Sequence, residues 1–240
     1  MWITVLASPL FRALPKERYH EVHDLFPRIS REMGVPLVMV NDGEVTALAG
    51  SMSLEDNGVL GIAMGTSEAG GYVNLDGNIT GWLNELAFCP VDYNPTAPVD
   101  EWSKDYGVGA LYFSQQCAFR LAPKVGISLP DNILNAEKLK IIQDKMEAGE
   151  EGALKIWQSM GVYLGYTLAH YADFYDIRHA LILGRVTSGK GGDLLLSGAQ
   201  EVLEKEFPAL AKSMCVQLPD EKSRRVGQSI AAASLPDISK

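Results

Sequence analysis

The sequence predicts an α/β fold, because short apolar runs typical of strands alternate along the chain with longer segments of helical periodicity. Three apolar runs carry this prediction, at residues 37–40, 59–64 and 180–183. Each run ends on polar or glycine-containing sequence, and such continuous apolar runs favour strands that are covered on both faces.

Helices are predicted before, between and after these strands. The first is expected over residues 16–33, since Pro15 precedes the segment and Gly34 follows it. Five further segments look helical, and the one at residues 152–174 has apolar residues at i, i+3 and i+4 spacing. They cover residues 44–51, 110–122, 136–148, 152–174 and 193–207.

Glycine and proline mark the connections. Asn57-Gly58 indicates a turn before the strand at 59–64, and residues 72–75 are expected to pair with that strand across a glycine-rich bend. Residues 88–105 contain three prolines and no clear period, which predicts a loop.

Two glycines, Gly161 and Gly165, lie inside the long helix predicted over residues 152–174. Each costs roughly 1 kcal/mol relative to alanine in a helix, so a close packing contact is the expected reason for their presence.

Composition excludes several classes of function. The 240 residues are 47% hydrophobic and 21% charged, with a formal net charge of -9, which argues against a nucleic-acid-binding surface. The apolar start is short and lacks a basic leader, so neither a membrane span nor a signal peptide is predicted, and a cytoplasmic location is expected. Three widely spaced cysteines and four histidines predict no disulfide and no metal site.

Asp42 is the first candidate for chemistry, because it follows the predicted strand at 37–40, and ligands collect at the carboxyl ends of strands in open α/β sheets. A carboxylate there could accept the proton of a hydroxyl that attacks a phosphoryl group. The alternative is that Asp42 caps the helix expected to begin at Glu44.

The bend after the strand at 59–64 is the second candidate. Backbone amides at Gly65, Gly70 and Gly71 could approach phosphate oxygens, and the Thr66 hydroxyl could add a donor. The alternative is an ordinary hairpin turn, and Glu68 would bring a negative charge close to any bound anion.

The third candidate is the glycine-rich segment at residues 184–192, entered from the strand at 180–183. It does not match the P-loop spacing. It could still hold an adenosine or its phosphates at a helix N-terminus, with Gly184, Ser188 and Gly189 as the contacts.

Taken in order, these elements resemble the ROK family of sugar kinases and sugar-responsive repressors, in the actin-like ATPase superfamily. The family's Asn-Asp pair is matched by Asn41 and Asp42, and its glycine-rich phosphate turn by residues 65–71. Residues 84–88 are similar to the family's sugar-binding Gly-Glu-Leu-Gly-His segment, and residues 161–165 and 182–184 resemble its adenosine-binding end.

The resemblance implies an actin-like ATPase (ribonuclease H-like) fold, of which this chain would carry mainly the carboxy-terminal lobe. Residues 1–55 would be the end of the amino-terminal lobe and residues 56–240 the carboxy-terminal lobe. It also implies a kinase that uses ATP and Mg²⁺ to phosphorylate a sugar or polyol. The implied roles are Asp42 as base, Asn41 and Glu85 as sugar ligands, and Gly65, Thr66, Gly70, Gly71, Gly184, Ser188 and Gly189 as nucleotide ligands.

The sequence also departs from the family pattern. The family's amino-terminal Asp-x-Gly-Gly-Thr motif is not found, Phe88 stands in place of a histidine, and residues 107–110 replace a Gly-Cys-Leu-Glu pattern. One alternative is therefore a non-catalytic relative that binds a sugar or nucleotide as a sensor or subunit, and another is a structural α/β domain. A homodimer, or a missing amino-terminal lobe, would be the partner in the assembly.

Overall fold

The computed structural model describes residues 14–38, 40–80, 84–219 and 227–235. The chain forms two compact units, one of residues Met1–Met39 with Ala232–Lys240 and the other of residues Val40–Ala231. All the candidate site residues belong to the second unit. The lobe boundary at residue 55 stays a prediction.

In the first unit, the single helix predicted over residues 16–33 is divided into two. A 3₁₀ helix covers Lys16–Glu21 and α1 covers Leu25–Met33. Gly34 ends α1 in a left-handed conformation with φ 66°, and its N–H donates to the carbonyl of Ser30. The predicted stop at Gly34 is thus confirmed as a glycine C-cap.

The strand predicted at residues 37–40 is wrong. Residues 37, 38 and 40 have no regular secondary structure, and Leu37 and Val38 are 42% and 46% exposed. Met39 lies outside the described residues. A strand needs paired backbone and, when apolar on both faces, a covering layer on each side, and an apolar run cannot supply either by itself.

A four-stranded mixed sheet lies at the centre of the second unit, in the order β2-β1-β3-β4. The strands β1 and β2 form an antiparallel hairpin, whereas β1, β3 and β4 are parallel neighbours. The strands are β1 Val59–Met64, β2 Glu68–Val73, β3 His179–Leu183 and β4 Cys215–Gln217. The strands expected at 59–64 and 180–183 are confirmed, while β2 starts four residues before the expected strand at 72–75.

The two faces of the sheet are covered by different helices, as the alternation of side chains along β1 shows. Val59 packs in a small cluster with Ala47 of α2, which covers Asp42–Leu54. Leu60 and Ile62 belong to the large core that also contains residues of α5, which covers Glu151–Tyr171. The sheet is therefore the middle layer of three.

The remaining helices follow the predicted segments closely where the predicted segment is long and uninterrupted. They are α3 Gln115–Leu121, α4 Asn135–Glu147, α6 Lys190–Glu206, α7 Pro208–Ser213 and α8 Gln228–Ser234. The helix expected over residues 110–122 is broken into α3 and two flanking 3₁₀ helices. None of the helices in the described part of the chain is long and apolar enough to cross a bilayer.

Gly161 and Gly165 let α5 pack closely against α6, which confirms the close contact predicted for them. A Cβ added at Gly161 would lie 2.7 Å from the carbonyl oxygen of Leu195 and 3.0 Å from Cα of Gly198. At Gly165 the added atom would lie 2.8 Å from the carbonyl oxygen of Ala199.

We expect Gly161→Ala to destabilise the chain, because the new methyl group meets the backbone of α6 rather than a flexible side chain. Overpacking of this kind costs about 1–3 kcal/mol, which exceeds the roughly 1 kcal/mol that alanine contributes to helix propensity. Urea denaturation followed by circular dichroism would measure the change. Gln158→Ala, on the exposed surface of the same helix, is the control, and a stabilised Gly161→Ala variant would contradict the packing argument.

Candidate functional site

Asp42 is the first residue of α2, and its side chain is exposed. The cap of the helix is Asn41, whose Oδ1 accepts the N–H of Gly43 at 2.8 Å. Asp42 Oδ1 also accepts this N–H, at 2.9 Å. Of the two interpretations of Asp42, the capping role therefore belongs to its neighbour, and the Asp42 carboxylate is presented at the open start of the helix.

The start of α2 lies against β2 at Gly43 and Gly71, where the close approach leaves no room for a side chain. A Cβ at Gly43 would lie 2.1 Å from the carbonyl oxygen of Gly70, and one at Gly71 would lie 2.1 Å from the carbonyl oxygen of Gly43. Gly70 and Gly71 were expected in the bend, but they lie in β2, opposite Ile62 and Gly61. The close approach of α2 explains Gly71, whereas the missing Cβ of Gly70 makes room for the Leu86 side chain.

The bend itself consists of residues 65–67. The Gly65 N–H donates to the carbonyl of Ser67 at 3.0 Å, and the Gly65 carbonyl accepts the N–H of Gln115 at 2.9 Å. Thr66 and Ser67 are exposed. The bend thus presents two hydroxyl groups on a backbone that is anchored to the start of α3.

Glu85 lies beside the start of α2, although 44 residues separate it from Asn41. Asn41 Nδ2 donates to Glu85 Oε1 at 3.2 Å. The next residue, Leu86, packs on Gly70, where an added Cβ would lie 2.5 Å from the Leu86 Cγ. The structure therefore places Glu85 beside Asn41, the residue that directly precedes Asp42.

A series of buried hydrogen bonds holds the residue next to Glu85 in place, and sequence reasoning did not predict it. Glu44 is only 7% exposed, and its Oε1 accepts a hydrogen bond from Asn84 Nδ2 at 2.8 Å. Asn84 Oδ1 in turn accepts from the Tyr175 hydroxyl at 2.9 Å. Burial raises the pKa of Glu44, opposed by the hydrogen bond from Asn84. These contacts fix the segment that carries Glu85.

Glu68 does not place a charge beside the bend, contrary to the sequence expectation. Its side chain is buried, and its Oε2 lies 2.1 Å from the position of a Cβ on Gly109. Neither carboxyl oxygen has a hydrogen-bond partner among the described residues. Desolvation raises its pKa from 4.5 to about 8, so the group is mainly neutral at pH 7.

A cavity of about 470 Å³ lies between α2 and the carboxyl ends of β1 and β3. Two of the predicted nucleotide ligands, Gly184 and Ser188, line it, as do Thr46 and Arg185, which sequence reasoning did not select. The other lining residues are mainly apolar and include Ala49, Ala63, Leu181 and Leu183. An apolar cavity with a few polar groups at its edge is typical of small-molecule sites.

Thr46 connects this cavity with Asp42. It stands one helical turn after Asp42, and its Oγ1 donates to the Asp42 carbonyl at 2.9 Å. The candidate base and the cavity are therefore neighbours along the same helix.

The start of α6 is occupied by a carboxylate of the protein itself. The N–H of Lys190 donates to Glu147 Oε1 at 2.8 Å, and a Cβ at Gly189 would lie 2.1 Å from the same oxygen. Gly189 thus faces Glu147, whereas Gly184 and Ser188 face the cavity. The phosphate site expected at this helix N-terminus is already filled by an acidic side chain.

Comparisons with solved structures identify the fold. A ROK family transcriptional regulator, a homolog of the E. coli MLC protein, matches with a TM-score of 0.70 and 20% identity over 89% of this chain. The ROK hexokinase from Thermus thermophilus matches with a TM-score of 0.69 and 14% identity over 91% of the chain. A ROK family glucokinase from Streptomyces griseus, in complex with glucose and AMPPNP, matches with a TM-score of 0.65 and 19% identity over 90% of the chain.

The chain spans only part of these proteins: 56% of the regulator, 70% of the hexokinase and 72% of the glucokinase. No protein-family model and no curated protein matches the sequence. The structural likeness shows that the chain has the α/β, actin-like ATPase fold of ROK proteins, as the sequence resemblance predicted.

The burial of Glu68 predicts that the chain loses stability as pH rises from about 4.5 to about 8. In this window the unfolded chain releases the proton of Glu68 and the folded chain retains it, so the free energy of unfolding falls by up to about 1.4 kcal/mol per pH unit. Glu68→Gln stays neutral and should remove this contribution. Thermal unfolding between pH 5 and pH 8.5 would show the variant gaining stability relative to the parent as pH rises.

Glu206→Gln, at an exposed position of α6, is the control for removing one carboxylate. Parallel stability profiles for the parent chain and Glu68→Gln would contradict the buried, neutral state of Glu68.

Proposed function

We propose that this chain is a ROK-like sugar kinase, or the part of one that carries the catalytic base, and that it transfers the γ-phosphate of ATP to a sugar or polyol hydroxyl. One observation carries the proposal. The exposed Asp42 carboxylate stands at the start of α2, beside the Asn41–Glu85 pair and one helical turn from the cavity. The fold of the solved ROK kinases supports it.

In the proposed reaction, Asp42 accepts the proton of the acceptor hydroxyl as that oxygen attacks the γ-phosphorus. The new oxygen–phosphorus bond forms while the bond to the departing ADP oxygen breaks, and the proton passes from Asp42 to solvent. Most of the rate in phosphoryl transfer comes from positioning and charge stabilisation, and Asp42 contributes by orienting the hydroxyl as well as by accepting its proton.

The sugar is held by Glu85 and Asn41. One Glu85 oxygen accepts from the Asn41 amide at 3.2 Å, which fixes the orientation of the carboxylate. A carboxylate has about four acceptor positions, so Glu85 can also accept hydrogen bonds from adjacent sugar hydroxyls.

The nucleoside of ATP fits the cavity, whose volume of about 470 Å³ lies within the roughly 300–1,000 Å³ of small-molecule sites. Gly184 and Ser188 line it, and Gly65 and Thr66 contact the phosphates at the bend. In this proposal Gly71 acts by letting α2 reach β2, Gly70 acts by making room for Leu86, and Gly189 acts by admitting the Glu147 carboxylate.

Magnesium fits the oxygen ligands at this site. The described residues contain no group of three or more His, Cys, Asp or Glu side chains that could hold a metal. Mg²⁺ bound with a nucleotide is held mainly by the phosphates and by water and needs only one or two protein carboxylates, of which the exposed Asp42 at the start of α2 is the candidate. When bound, the ion would neutralise charge on the phosphates.

The second candidate is a non-catalytic sugar- or nucleotide-binding protein that acts as a sensor or subunit. It is favoured by Phe88 in place of the family's histidine, by the missing Asp-x-Gly-Gly-Thr motif and by the likeness to a transcriptional regulator. Either function would be carried out in the cytoplasm, with a homodimer or an amino-terminal lobe as the partner.

We expect Asp42→Asn to abolish sugar-dependent ADP formation, because the amide cannot accept the hydroxyl proton; general bases contribute about 10²–10⁴-fold. The assay is ADP release by the purified chain with ATP and Mg²⁺ over hexoses, amino sugars and polyols. Glu151→Gln is a matched control, since Glu151 is likewise the first residue of a helix but lies in α5.

Three outcomes separate the candidates. Turnover by the parent that is lost in Asp42→Asn supports the kinase, and turnover that survives in Asp42→Asn removes Asp42 as the base. Sugar binding by calorimetry from a folded parent without turnover supports the non-catalytic candidate.

Glu85→Gln should raise the KM for the sugar by about tenfold or more, since a hydrogen bond to a charged group contributes about 1.5–3 kcal/mol. The KM for ATP should stay near that of the parent, because the cavity lining does not include Glu85. Steady-state kinetics with each substrate varied in turn would separate the two effects. An equal rise in both KM values would instead indicate a general disturbance of the site.

A further inference from the structure

Arg185 is a cation at the edge of the cavity that no step above has used. It lines the cavity and is exposed, directly after Gly184. Among the described lining residues it is the one with a positively charged side chain. The chain as a whole carries a formal net charge of -9, so a cation at this position is a local exception.

The register of the sheet places Arg185 beside the bend at residues 65–67. Ala63 of β1 is paired with Leu183 of the parallel strand β3, so the chain leaves both strands at the same edge. Gly65 and Arg185 each come two residues after this pair.

Gly184 fixes this arrangement. Its backbone has φ 104°, and a Cβ there would lie 2.3 Å from the Met64 carbonyl oxygen. The peptide before Arg185 is therefore packed on the end of β1 in a conformation that favours glycine.

The other cation of this segment is already engaged. Lys190 Nζ donates to the carbonyl of Glu147 at 3.0 Å and lies 3.9 Å from its Oε2. The same carboxylate accepts the first N–H of α6. Arg185, in contrast, has no acidic partner among the described residues. Within residues 184–190, the positive charge that is free to meet a ligand is therefore that of Arg185.

We infer that Arg185 binds the phosphate groups of the nucleotide whose nucleoside occupies the cavity, an inference that rests on the nucleotide site proposed above. The guanidinium group can donate two parallel hydrogen bonds to phosphate oxygens, a geometry that lysine cannot reproduce. It supplies positive charge at the bend, where the polar groups otherwise are backbone amides and the hydroxyls of Thr66 and Ser67. The ligand class is thus an adenine nucleotide bound through its phosphates, with ADP and ATP preferred to adenosine.

The test is equilibrium binding of adenosine, ADP and ATP, each with Mg²⁺, to the purified chain by titration calorimetry. The variants are Arg185→Ala and Arg185→Lys. Arg178→Ala is the control, because Arg178 immediately precedes β3 at the opposite end of that strand and its loss changes the net charge equally. Repeating the ATP titration at several salt concentrations measures the electrostatic share of binding.

We expect Arg185→Ala to weaken the binding of ADP and ATP by about tenfold or more, as expected for the loss of a charge-assisted hydrogen bond. The affinity for adenosine should stay within about twofold of that of the parent. Arg185→Lys should recover only part of the loss, Arg178→Ala should bind as the parent does, and the salt dependence should become shallower in Arg185→Ala. An equal loss for adenosine and ATP would show that Arg185 only shapes the cavity and would overturn the inference. Unchanged ATP binding in Arg185→Ala, or no nucleotide binding by the folded parent, would also overturn it.

The result is separable from that of the kinase assay. Nucleotide binding that depends on Arg185 without any sugar phosphorylation would leave the inference standing and remove the kinase proposal. Sugar phosphorylation with an unchanged KM for ATP in Arg185→Ala would support the kinase proposal and overturn the inference about Arg185.

Discussion

The close approach of α2 to β2 is the constraint on which the rest of the site depends. Gly43 and Gly71 bring helix and strand together at distances that no Cβ would permit. This contact sets the position of the helix start, where Asn41 takes the capping role and leaves the Asp42 carboxylate exposed. Gly71 thus acts on the position of the candidate base through the packing of the backbone.

The two buried acids near this contact, Glu44 and Glu68, differ in what their burial does to the structure. Glu44 is hydrogen-bonded to Asn84 and thereby fixes the segment that carries Glu85, so its burial contributes to the geometry of the site. Glu68 has no partner for its carboxyl group and is kept neutral by desolvation, which costs stability at neutral pH. Its burial also keeps negative charge away from the bend, and this removes the main sequence-based objection to an anion at residues 65–67.

The parallel pairing of β1 and β3 organises the nucleotide side of the site. Because both strands end at the same edge, the bend and the segment at residues 184–188 lie side by side, with the cavity between them and α2. The packing of α5 on α6 through Gly161 supports the opposite face of the sheet. Glu147 completes the arrangement by neutralising the start of α6 and Lys190, which leaves Arg185 as the free cation of the segment.

The sequence by itself determined the α/β class, the strands at β1 and β3, the long helices α4 to α6 and the close contact at Gly161 and Gly165. These features follow from local periodicity and from the cost of glycine within a helix, which nearby residues encode. Local pattern was insufficient for the apolar run at residues 37–40, since a strand also needs a partner and a covering layer. Only the tertiary structure decided the contacts between residues that are distant in the sequence. These are the hydrogen bond between Asn41 and Glu85 and the burial of Glu68 against Gly109. The pairing of Glu147 with Lys190, which leaves Arg185 without an acidic partner among the described residues, is of the same kind. The physical reason is that hydrogen bonds, desolvation and charge pairing depend on distance in space, which residue order does not specify.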